Sequence, residues 1–173
     1  MTFIAKTNGI FLLNLESFQL SPVSAGYICL DSTARTQTDS VQAATSAQTG
    51  ADLVSIRCGA QQNALASFPI TSVTWIGGTD AANEGTWVLP DGNAMTYSNW
   101  DTGEPNNYGG NQDCIEFISN GMWWDGPCNS NTRPAIFEST FAIAGLTCNE
   151  YVGKFCSILS YINNLSLSYH VHH

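Results

Sequence analysis

The positions richest in chemistry are Glu104, Pro105 and Asn106. Calcium takes six to eight oxygen ligands, largely carboxylates and carbonyls. Glu104 and Asn106 offer one of each, two residues apart. Across a trans Pro105 their side chains point to opposite sides of the chain. A cis Glu104–Pro105 bond turns both to one side, and bonds preceding proline reach cis at modest cost. A different chemistry would pair Glu104 with Asp125 as two carboxylates acting on a glycosidic bond. No second catalytic pattern accompanies that pair. The three histidines, His170, His172 and His173, all lie at the extreme C-terminus, where a base is rarely held in place, so a His-dependent triad is disfavoured. Six cysteines, none in CxxC spacing, fit disulfides in an oxidising compartment rather than a zinc or redox centre.

These residues sit in a stretch, 75–128, where aromatics, glycines and acids interleave without helical period. That pattern predicts short strands joined by long, ordered loops. Ahead of it, Tyr27–Leu30 reads as an opening strand. Thr38, Asp39 and Ser40 offer N-caps for a helix over Val41–Thr49 that stops at Gly50. Leu53–Ile56 reads as a short strand. Gln61–Phe68 reads as a second helix, ended by Pro69. The predicted class is therefore α+β, with two helices, small antiparallel sheets and long loops.

Composition narrows the partners. The chain has 173 residues, 43% of them hydrophobic, and only 11% charged, with 14 acids against 5 bases and a net charge of −9. That balance disfavours nucleic acid or an anionic membrane surface as the main partner. It suits cations or neutral polar ligands. No apolar run reaches the length of a membrane span.

The stretch resembles a C-type lectin-like domain. The carriers of the resemblance are Trp-Ile-Gly-Gly at 75–78, Trp87 with Asp91-Gly92, the Glu-Pro-Asn at 104–106, Asp113-Cys114, and Trp123-Trp124-Asp125 with Cys128. They occur in that family's order and near its spacing. The likeness covers residues 27–139. It implies a cis Pro105 and a disulfide between Cys114 and Cys128. It also implies a site in which Glu104 and Asn106 bind both calcium and sugar. One oxygen of each side chain goes to the ion; the other carboxylate oxygen accepts, and the amide nitrogen donates, bonds to sugar hydroxyls. Glu-Pro-Asn at that place implies the mannose, glucose, N-acetylglucosamine and fucose class. Trp75, Trp87, Trp100 and Trp123 correspond to core aromatics.

Asp125 matches an aspartate ligand of the family, but two other ligands are replaced. Gln112 stands for a glutamate and Trp124 for an asparagine, and the loop before Cys114 is one residue longer. Gln112 still offers a carbonyl, and the longer loop could bring in Asn111 or Asp113. Trp124 could stack on a sugar face or fold onto Tyr108 or Pro127. Fewer charged ligands mean weaker calcium binding. A family disulfide is also missing at both ends, with Ser46 and Phe137 at its two positions. Loss of that long-loop crosslink predicts a few kcal/mol less stability, with Phe137 filling the space by packing.

The resemblance implies an extracellular module binding a glycan or glycoprotein without chemical turnover. A calcium-independent module for protein, lipid or ice is the alternative, and a glycan-acting enzyme the third. Residues 1–26 form an N-terminal segment with weak signal-peptide character, and 140–173 a C-terminal extension. In the extension, Cys148 and Cys156 could close a small loop, Leu165–Tyr169 alternates like an edge strand, and Asn164 begins a glycosylation sequon. The terminal histidines could bind metal weakly.

Overall fold

The computed structural model describes residues 26–47, 50–66 and 68–151. The N-terminal segment before residue 26, Cys156, Asn164, the alternating stretch 165–169 and the terminal histidines lie outside the described residues.

Strand β1 (Gly26–Arg35) leads into helix α1 (Gln37–Ala47), then β2 (Asp52–Leu53) and helix α2 (Gly59–Ala66). Strands β3 (Thr74–Thr79), β4 (Cys114–Phe117), β5 (Trp123–Gly126), β6 (Arg133–Ser139) and β7 (Thr147–Tyr151) follow. They form one sheet in the order β5-β4-β3-β6-β1-β7, with β2 beside β6. The expected antiparallel pairs are joined through a parallel contact, Trp75 opposite Ala135. The class is α+β, and the sheet is mixed.

Both helices start earlier than expected. Thr36 caps α1, its hydroxyl accepting from Asp39 N at 3.1 Å. Gln37, Ser40 and Ala44 are the buried face of that helix, a spacing of three and four that fits one helical stripe. The small Ser40 and Ala44 let α1 lie close against the sheet. Helix α2 begins after Cys58, whose carbonyl accepts from Gln62 N at 3.1 Å, and it ends before Pro69, as a residue preceding proline disfavours the helical region.

Two hydrophobic clusters share the interior. One gathers Ile28, Val54, Ile56, Leu65, Ile76, Ile115, Phe117, Trp123 and Ile136 around Trp87. The other contains Cys29, Ala44, Leu53, Trp75, Ala135 and Phe137. Phe137 is buried beside Leu53, as the missing disulfide predicts, whereas Ser46 is exposed. Trp100 lies between Trp87 and Trp123, at 4.9 and 5.7 Å between ring centroids. Trp75 and Ile76 are fully buried, and the next residue must be glycine. A Cβ on Gly77 would come within 2.6 Å of Pro90 Cγ and 2.9 Å of the Leu53 carbonyl oxygen.

The buried polar residue that matters most for the site is Gln62. Its Nε2 donates to the Gly121 carbonyl at 2.5 Å and its Oε1 accepts from the Trp123 indole at 3.0 Å. It thereby ties α2 to the strand that carries Trp124 and Asp125. Gln62→Ala would leave the Trp123 N–H buried without an acceptor, whereas the Gly121 carbonyl keeps its bond from Asn99 Nδ2. The expected loss is about 2–3 kcal/mol, read from urea denaturation followed by tryptophan fluorescence.

The cysteine pairing differs from expectation at one point. Cys114 and Cys128 are bonded, as expected. Cys148 does not close a small loop with Cys156; it is bonded to Cys29. The reason is strand register. Cys29 and Cys148 are directly opposite in the antiparallel β1–β7 pair, with Cα atoms 4.1 Å apart. The chain therefore has a long-loop crosslink after all, spanning 119 residues, and the predicted deficit in stability is offset. Cys58 is also in disulfide linkage.

Candidate functional site

The loop between β3 and β4 is docked along β5. Trp123 N donates to the Asn99 carbonyl and Asp101 N to the Trp123 carbonyl, each at 3.0 Å. Glu104 N then donates to the Asp101 carbonyl at 3.0 Å, which begins the turn carrying the Glu-Pro-Asn. The Glu104–Pro105 bond is cis. Glu104 and Asn106 lie on one side, with Asn106 Nδ2 donating to Glu104 Oε1 at 2.8 Å. The Asn106 carbonyl oxygen accepts from Tyr108 N at 2.9 Å.

Asp125 alternates inward on β5 and is buried. Its Oδ2 accepts from Asn107 N at 2.6 Å, so the turn is fastened to the strand at the residue after Asn106. Gln112 completes the link. Its Nε2 donates to the Asp125 main-chain carbonyl at 3.1 Å and its Oε1 accepts from Tyr108 N at 2.6 Å. Glu104, Asn106, Gln112 and Asp125 are thus brought together. Trp124 is the neighbour that points outward. Its side chain is exposed, and its indole N–H donates to Asp101 Oδ2 at 3.0 Å.

A second acidic group adjoins this one, and sequence reasoning missed most of it. Asp80, Glu84 and Asp113 each place a carboxylate oxygen within 4.8 Å of the others. Asn107, in the left-handed region at φ 43°, bridges the two groups. Its amide nitrogen donates to Glu84 Oε2 and its carbonyl accepts from Gln112 N at 3.0 Å. A signal was present: residues 80–125 contain eight acids and no Lys or Arg.

The charges have consequences. The three arginines pair elsewhere, Arg35 with Asp31, Arg57 with Asp91 and Arg133 with Glu116. Among the described residues no base neutralises Asp80, Glu84, Glu104, Asp113 or Asp125. Burial first, and then the adjacent Asp125 carboxylate, pushes the Glu104 carboxyl up to about 7. Burial also raises Asp80, with Asp113 and Asp125 repelling its charge. With their carboxyls ionised, Asp80 Oδ1, Glu104 Oε2 and Asp125 Oδ1 are buried oxygens without a hydrogen-bond donor. Buried polar atoms normally have a partner, and a buried charge without one is costly. Such oxygens fit a cation.

Residues 34–136 match the family model for the lectin C-type domain. Solved structures of the same fold include the C-type lectin CEL-I from Cucumaria echinata, 22% identical, covering 72% of this chain and all of that one, with a TM-score of 0.61. The cow C-type carbohydrate-recognition domain of CD23, solved in the presence of a GlcNAc2Man3 oligosaccharide, is 26% identical. That match covers 69% of this chain and 88% of the other, with a TM-score of 0.61. A calcium-independent type II antifreeze protein is 21% identical over 69% of this chain and 94% of its own, with a TM-score of 0.59. With most of the domain matched and the loop, sheet and disulfide in place, the chain belongs to the C-type lectin domain family.

Proposed function

We propose that this chain is an extracellular carbohydrate-binding module that holds a mannose-, glucose- or fucose-type glycan at the Glu104–Asn106 turn, with calcium as cofactor. The observation that carries this reading is the set of three buried oxygens that lack a donor when their carboxyls are ionised, in a region without a neutralising base. Glu104, Asn106 and Asp125 would hold one ion, with the Gln112 carbonyl within the same network. Asp80, Glu84 and Asp113 offer a second, adjoining set. A bound calcium ion would supply a positive centre that sugar hydroxyls can coordinate.

The chain's own groups do the rest. Asn106 Nδ2 and Glu104 Oε1, bonded to each other, are a donor and an acceptor side by side. Adjacent sugar hydroxyls can replace that internal bond with two of their own. Asn107 and Gln112 fix the turn against β5, so little ordering is left for the ligand to impose. Trp124 presents an exposed ring beside this turn's strand, held by Asp101, and serves as a platform for an apolar sugar face.

Catalysis is not part of this reading. Glu104 and Asp125 lie within hydrogen-bonding reach of each other, nearer than the about 5–9.5 Å at which glycosidases set their two carboxyls. Disulfides support an extracellular setting. Among the described residues no helix is long and apolar enough to cross a membrane. A calcium-independent mode is the second reading. It is favoured by the Asn106–Glu104 bond, which ties the two side chains of the turn directly to each other.

Calorimetry separates the two. Calcium should bind with a Kd on the order of 10⁻⁴–10⁻³ M, the range of extracellular modules. Methyl α-mannoside heat should then appear only in calcium, with methyl galactoside as the silent control. Mannoside heat that is the same in chelator would favour the second reading, and no heat from calcium would end the first.

A further inference from the structure

Beside the acidic cluster is a cleft of about 420 Å³ whose lining includes none of Glu104, Asn106, Gln112 or Asp125. It lies between the first turn of α1 and the segment after Cys128. Gln37, Thr38, Asp113, Pro127, Asn129 and Ser130 are among its lining residues. Its volume falls in the range of ligand-binding clefts, about 300–1,000 Å³.

The informative residue is Gln37. It is only 9% exposed and lines the cleft; its amide is not among the buried side-chain atoms that lack a partner, so its polar end reaches the solvent of the cleft. An amide so placed offers both a donor and an acceptor to whatever enters the cleft. Its main-chain N–H is already spent on the Cys128 carbonyl at 2.9 Å. Asp39 N and Ser40 N are taken by Thr36. The helix start therefore has few free N–H groups to offer an anion, and Asp113 in the wall would repel one. Across the cleft, Thr38 Oγ1 donates to Asn129 Oδ1 at 2.6 Å. That bond orients Asn129 so that its amide nitrogen stays available. The set comprises two amides and a Ser130 hydroxyl, with the Pro127 ring as an apolar surface. It matches an uncharged, hydroxyl-rich ligand.

We propose that this cleft is a second saccharide subsite, anchored by the Gln37 amide, which takes a neighbouring sugar unit of the same oligosaccharide. The inference rests on the reading of the ligand as a glycan, but not on calcium. Asp113 belongs both to the cleft and to the acidic cluster, so the subsite borders the proposed ion site without sharing Glu104 or Asn106.

The test is side-chain amide NMR on the intact protein, titrated with methyl α-mannoside and with mannotriose, in chelator and in calcium. Millimolar affinity for a single unit is sufficient for detection. The expected result is that the Gln37 and Asn129 amide signals move with both sugars, in chelator as well as in calcium. Asn106 should respond only in calcium. Gln37→Ala keeps the main-chain bond to Cys128 and should weaken mannotriose by about tenfold, leaving methyl α-mannoside binding at Asn106 unchanged. If Gln37 and Asn129 stay still with both sugars while Asn106 responds, the subsite is wrong and the calcium site stands. If they move while Asn106 never does, the subsite stands and the calcium reading fails.

Discussion

Glu104→Gln is expected to abolish calcium-dependent mannoside binding and, in the same protein, to raise the melting temperature measured in chelator. Loss of even a supporting residue costs a metal site about 10–100-fold, so loss of a charged ligand should weaken calcium by at least about 100-fold. The opposite effect on stability follows from the surroundings of Glu104. Burial and the adjacent Asp125 push the Glu104 carboxyl from its ordinary 4.5 up to about 7. A carboxyl raised by folding stabilises the fold while it is protonated. That contribution is complete below pH 4.5 and is lost as pH rises through about 7. Glutamine stays neutral throughout and can donate to Asp125. The gap in melting temperature between variant and wild type should therefore widen in chelator as pH rises from 4.5 past about 7. For wild type, calcium affinity should rise over the same interval, since the ion needs the carboxylate. Thermal melts and calorimetry on the two proteins, one pH unit either side of about 7, decide the matter. Equal calcium isotherms would remove Glu104 from the ligand set.

The second large effect is expected from removing the β1–β7 crosslink. Closing a loop of about 100 residues stabilises by about 4–5 kcal/mol in the chain-entropy picture, and Cys29–Cys148 closes 119. The double variant Cys29→Ala, Cys148→Ala should lose about that much in urea denaturation. By contrast, replacing Cys114 and Cys128, which are 14 apart, should cost about 3 kcal/mol. The two losses should differ in their effect on function. Strands β5 and β7 are at opposite ends of the sheet. The Cys29, Cys148 variant should keep wild-type calcium affinity wherever it is folded. The Cys114, Cys128 variant loosens the strands next to Gln112 and Asp125 and should not. Equal calcium losses in both would contradict this division.

What could be read from the sequence, and what could not, follows the range of the forces involved. The turn at 104–106 was legible because a local rule, the cis geometry before proline, brings Glu104 and Asn106 together. Cys114 and Cys128 were legible through the Trp-x-Asp-x-x-Cys pattern. The start of α1 was not. Thr36, Thr38, Asp39 and Ser40 can all cap a helix, and only packing of Gln37, Ser40 and Ala44 against the sheet selects Thr36. The partner of Cys148 depends on the register of two strands far apart in sequence, which short spacing to Cys156 masked. Asp80 and Glu84 precede the turn by some twenty residues, and their approach to Asp113 follows from how β3 pairs with β4. Asn107 carried no expectation; its bridging role depends on a left-handed backbone that the sequence did not announce.

The five carboxylates left without a base also set a tempo. An uncompensated negative field of this kind extends about one Debye length, 8–10 Å at ordinary salt, and steers cations inward at up to about 10⁸–10⁹ M⁻¹s⁻¹. With a Kd on the order of 10⁻⁴ M, such arrival implies departure at about 10⁴–10⁵ s⁻¹. Each ion would then stay for well under a millisecond, and a sugar coordinated through it could stay no longer by that route. On the proposed reading, a single head of this kind would sample glycans rapidly and retain none of them. Durable attachment requires several contacts engaged at once, where effective concentration replaces residence time.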